Sequence, residues 1–183
     1  MNTNAFEVTT LLIIGYLLVC IQAAFDGFVF WMQGYIWFPC LVVAYALVRQ
    51  PPVVSGLLCI VIGFWIDSLS VNPLGLSILS MAAAALLAGK AWRNWAGDRF
   101  LSMFAPGFVL GFTFPVIGIM TARMIGESPL GGWRLFLSTM VSGLIIGVLT
   151  PPFYRLVDLA MGTLRFKTVY HQEPRDIREI HRG

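Results

Sequence analysis

Charge is scarce in this chain. Only 11% of its 183 residues are Asp, Glu, Lys or Arg, whereas a soluble domain carries about 25% because its surface must face water. So few charges cannot cover a globule, and a bilayer is the solvent that fits. Histidine is scarcer still. His171 and His181 lie near the C-terminal end at a spacing that does not share a helical face, which excludes them as a metal pair. Cys20, Cys40 and Cys59 stand singly, with no Cys-x-x-Cys pair, and thiols buried in apolar surroundings are inert. No histidine lies where it can activate a nucleophile in the other loops, and no glycine-rich phosphate loop occurs. The carboxylates Glu7, Asp26, Asp67, Asp98, Glu127 and Asp158 all fall at or near the ends of apolar runs. No chain of acids therefore crosses the hydrocarbon, as a proton or ion path would need. The expectation is a protein without catalysis, cofactor or metal.

What the chain has instead is hydrocarbon. Hydrophobic residues make up 58% and mean hydropathy is +0.81. Uncharged runs cover Val8–Phe25, Gly27–Val48, Gln50–Ile66, Ser68–Gly89, Phe100–Ala122 and Leu135–Tyr154. About 20 apolar residues at 1.5 Å rise cross a core of about 30 Å, so the runs predict an all-α bundle of six transmembrane helices. The expected spans are 8–25, 28–48, 53–69, 73–92, 100–122 and 134–157, forming a domain over 1–157, with a polar tail over 158–183. The third span is expected to be the weakest, because Pro51 and Pro52 occupy its start. Residues 1–7 contain no Lys or Arg and Val19 precedes Cys20, so neither a cleaved signal nor a lipidation site is expected.

Basic residues set the orientation. With the N-terminus inside, eight Lys and Arg flank the spans on the inner side (Arg49, Lys90, Arg93, Arg99, Arg155, Arg165, Lys167, Arg175) against two, Arg123 and Arg134, outside. Both termini are expected in the cytoplasm. The net charge of +3 lies beside span ends, where anionic lipid headgroups attract it, and no basic patch interleaved with aromatics points to nucleic acid. Membrane lipids are the expected partner of these cations. Trp31, Tyr35, Trp37, Trp65, Trp92, Trp95 and Trp133 fall near span ends, as interfacial anchors do. Gly107 with Gly111, and Gly143 with Gly147, are each four apart, the spacing that lets helix backbones approach in lipid. Pro115, and Pro151 with Pro152, are expected to kink or fray their helices.

One stretch carries more information than the rest. Gly63-Phe-Trp-Ile-Asp67-Ser-Leu-Ser-Val-Asn-Pro73-Leu-Gly75-Leu turns the chain from span three into span four. Gly63 and Asp67 share a helical face, so a neighbour can approach just beneath the carboxylate. Asn72 or Pro73 is expected to start the next helix. Asp67 has two open roles: capping the first N–H groups of span four, or receiving a positive group from a partner. Here the chain resembles the rod shape-determining protein MreD family. The resemblance rests on a glycine and an aspartate ending one span and Pro-Leu-Gly opening the next. Pro39 early in span two, the length, the six spans and the short basic tail agree with it, and sequence identity concentrates in residues 56–76.

The resemblance implies a non-enzymatic inner-membrane scaffold of the bacterial elongation machinery. Its implied partners are MreC, the actin-like MreB, RodA and a class B penicillin-binding protein. The implied fold is similar to substrate-binding subunits of energy-coupling-factor transporters, which leaves a vitamin importer subunit as the alternative, with a pocket between spans one and four to six. Partner-contact or structural roles fall on Pro39, Gly63, Asp67, Pro73 and Gly75. Family members often carry an acid just after the second-span proline, where this chain has Cys40.

Overall fold

The computed structural model describes residues 5–31, 36–70, 73–94, 99–124, 126 and 133–176. Tyr35, Asn72, Trp95, Asp98, Glu127 and His181 lie outside the described residues, as do the side chains of Asp26, Trp31, Trp92 and His171. The described residues form six helices: α1 (Ala5–Trp31), α2 (Pro39–Arg49), α3 (Pro52–Leu69), α4 (Leu76–Asn94), α5 (Arg99–Met124) and α6 (Trp133–Asp176). Met1–Pro151 is one compact unit and Pro152–Gly183 a second; the packing below concerns the first.

Prolines start two of these helices. Pro39 and Pro52 sit at first-turn positions, where a missing N–H removes a bond that no helix makes there. Pro51, at the cap of α3, therefore takes nothing from the span. The third span was expected to be the weakest, yet α3 is long and apolar enough to cross a membrane, as are α1, α5 and α6. The short helices are α2 and α4, whose apolar parts are Pro39–Arg49 and Leu76–Lys90. The expected second span, 28–48, differs most. α1 continues through Asp26 to Trp31, and α2 begins only at Pro39, because a single charge interrupts hydrophobicity without interrupting helical hydrogen bonding. Likewise α6 is helical through Pro151 and Pro152 as far as Asp176. α5 carries Pro106 as well as Pro115 within it.

α2 is the centre of the first unit. Its residues Pro39–Ala46 are all buried, and it packs against α1, α3, α4 and α5. A helix buried on every face is surrounded on every face. Polar pairs tie α1 to both ends of it: the Phe38 N–H donates to Gln22 Oε1 at 3.3 Å, and Gln50 Nε2 donates to Glu7 Oε2 at 3.2 Å.

The peripheral helices bury small and polar groups beside apolar ones and turn large apolar side chains outward. On α3, Ser55, Cys59, Gly63 and Asp67 are buried with Leu58, Ile62 and Ile66, while Val53, Leu57, Ile60 and Phe64 are exposed. On α6, Thr139, Ser142 and Thr150 are buried, while Leu137, Val141, Leu144 and Val148 are exposed. Water would select a polar outer face; lipid accepts the apolar one, because close packing, not water exclusion, drives helix association there. With four membrane-length helices dressed this way, the chain is a membrane protein.

Candidate functional site at the α3–α4 bend

Asp67 sits in the last turn of α3 with a side chain only 2% exposed. Its Oδ2 accepts the Gly75 N–H at 2.8 Å and its Oδ1 accepts the Ser77 N–H at 2.9 Å. These donors lie at the cap and second position of α4, among the groups that no intrahelical carbonyl can reach. A cap residue ordinarily supplies its own side-chain oxygen. Gly75 has no side chain, so the preceding helix supplies a whole carboxylate, whose negative charge also suits the positive end of α4.

The intervening turn is built to deliver those donors. Gly75 has φ +102°, a left-handed conformation that glycine adopts without strain. The Leu76 N–H donates to Pro73 O at 3.3 Å, and the Leu79 N–H to Gly75 O at 3.0 Å. Pro73 thus lies in the turn before α4 and does not open the helix as expected; the helix starts only after Gly75 has reversed the backbone. The Asp67 carbonyl accepts from both the N–H and the Oγ of Ser70, each at 3.3 Å, closing the end of α3.

Gly63, one turn below Asp67, makes the geometry possible. A Cβ on it would lie 2.7 Å from Ile78 Cα and 3.0 Å from Ile78 N. The backbones of α3 and α4 touch there, which brings the carboxylate within reach of residues 75 and 77. Gly63, Asp67 and Gly75 therefore act together. Pro39 takes no part in these bonds; it is buried at the start of α2, where the Cys40 N–H donates to Trp37 O at 3.0 Å. Cys40 beside it is fully buried, so an acid at that position would need a partner inside the protein.

The glycines of α5 and α6 make a second close approach. A Cβ on Gly111 would stand 2.9 Å from Ile146 Cβ and 3.1 Å from Gly143 Cα. One on Gly143 would stand 3.0 Å from Phe112 Cβ, and one on Gly147 would stand 2.7 Å from the Phe104 ring. Gly107 faces Thr150 and the Ile146 carbonyl. Phe104, Phe108 and Phe112 stack in a row along α5, with centroids 5.8 and 6.3 Å apart, and cover these glycines. Trp133, 71% exposed, stacks on Phe136 at 5.6 Å.

Sequence reasoning missed two features. Gln22 is a buried polar residue inside an apolar run without Asp, Glu, Lys or Arg, and its amide is the signal that marks it. Leu74, at the tip of the bend, is 73% exposed beside exposed Pro73. Among the described residues, no cluster of three or more metal-ligating side chains occurs.

No curated protein matches the chain, and no solved structure does. A family model described as rod shape-determining protein MreD matches residues 2–160, nearly the whole chain and the bend within it. The chain belongs to the MreD family of rod shape-determining membrane proteins.

Proposed function

We propose that this chain is a non-enzymatic scaffold of the cell-elongation machinery, linking MreC and MreB to the peptidoglycan synthases RodA and a class B penicillin-binding protein. The observation that carries this reading is the family match over residues 2–160. In the same reading the chain is a six-span protein of the inner membrane with both termini in the cytoplasm. The bias of basic residues, eight against two, supports that orientation. The short α2 is compatible with six spans, because a helix ringed by protein has its backbone satisfied whether or not it reaches both headgroup layers.

The physical case for a scaffold is the surface. The exposed faces of α1, α3 and α6 carry Ile13, Leu17, Phe64, Leu144 and Val148, so partner contacts form largely within lipid, where fit decides. In the proposed orientation the α3–α4 bend faces the periplasm. A partner there meets Pro73 and Leu74, since Asp67 is buried and both its oxygens are bonded. The importer alternative needs a pocket between spans one and four to six; a cavity of about 460 Å³ lies instead between α2, α3 and α4 and does not favour it.

Depletion in the native rod-shaped cell tests the reading: cells round up, and MreC no longer recovers the synthases on co-purification. Rods that persist while a vitamin auxotrophy develops would overturn it.

A further inference from the structure

We draw no further inference here: the strongest candidate, the half-open cavity between α2, α3 and α4 lined by Gln50, Gly56, Cys59 and Gly89, carries nothing because nothing in the structure shows what fills it.

Discussion

Replacing Asp67 separates a structural role from a recognition role. In Asp67→Ala the N–H groups of Gly75 and Ser77 lose their acceptor, and the site is too buried for water to replace it easily. An orphaned buried donor costs about 1–3 kcal/mol, and loss of a cap alone costs about 1 kcal/mol. The second bond and the charge at the helix end, about 0.3–1 kcal/mol, bring the expected loss to about 3 kcal/mol. For a chain of this length that lowers Tm by about 6–12 °C. Asp67→Asn keeps one oxygen for one donor but loses the charge and turns an NH2 toward the other donor, so about half the loss is expected. The assay is a thermal melt of purified protein in detergent, beside co-purification of MreC at a temperature where each variant is folded. The reasoning predicts reduced Tm with near-normal recovery of the partner among molecules still folded. A Tm within about a degree of wild type for both variants, with recovery abolished, would refute it and return Asp67 to the interface.

Other substitutions test neighbouring claims. Gly63→Ala puts a methyl 2.7 Å from a backbone carbon of Ile78, so α3 and α4 must part, and about 1–3 kcal/mol of stability is expected to be lost; thermal melts read it. Gly56→Ala is the control: its methyl meets nothing, and helix propensity favours it by up to about 1 kcal/mol. A Tm that falls as far as in Gly63→Ala contradicts the packing argument. Gly75→Ala places a side chain at φ +102° and is expected to cost about 1–2 kcal/mol, through strain alone, because open space surrounds that position. Cys40 is 0% exposed, so a water-soluble maleimide should label it only after denaturation; labelling of Cys40 in the folded protein overturns its assignment to the core.

The bend was the most legible part of the fold because its constraints are local. A carboxylate at the end of one apolar run, a Pro-x-Gly turn and a glycine one helical turn before the acid each carry their own physical reason, and spacing alone puts Gly63 and Asp67 on one face. The identity of the facing atom, Ile78, was not legible, since it depends on how two helices cross. Charge marks where hydrocarbon ends, not where a helix ends. Hence α1 continues past Asp26, and α6 continues beyond Asp158 through Arg and Lys, residues that favour helix as strongly as leucine does.

The central position of α2 was hidden for a deeper reason. In water, a helix apolar on every face announces itself as buried, because its neighbours show polar outer faces. In lipid the outer faces are apolar too, so Val42 and Val43, fully buried in α2, read the same in sequence as Leu57 and Leu144, which face outward. Where interior and exterior do differ, buried hydroxyl, carboxylate and glycine positions stand against an apolar outer face. Buried positions on α3 and α6 hold Ser55, Gly63, Asp67, Ser142, Gly143 and Thr150 beside Leu58, Ile62, Ile66 and Ile146, and exposed positions are mostly leucine, valine and phenylalanine. The pattern of small and hydroxyl residues at helical spacing therefore marks part of each inward face, the α3 stripe beneath Asp67 and the α6 stripe against Gly107 and Gly111, although Gly56 and Ser68 of α3 are small and exposed. It does not pick out α2, where Leu41, Val42, Val43 and Tyr45 are large and still buried. A wholly enclosed helix in a membrane protein has no outward face to contrast with its inward one, and only its contacts with α1, α3, α4 and α5 distinguish it from a span in lipid.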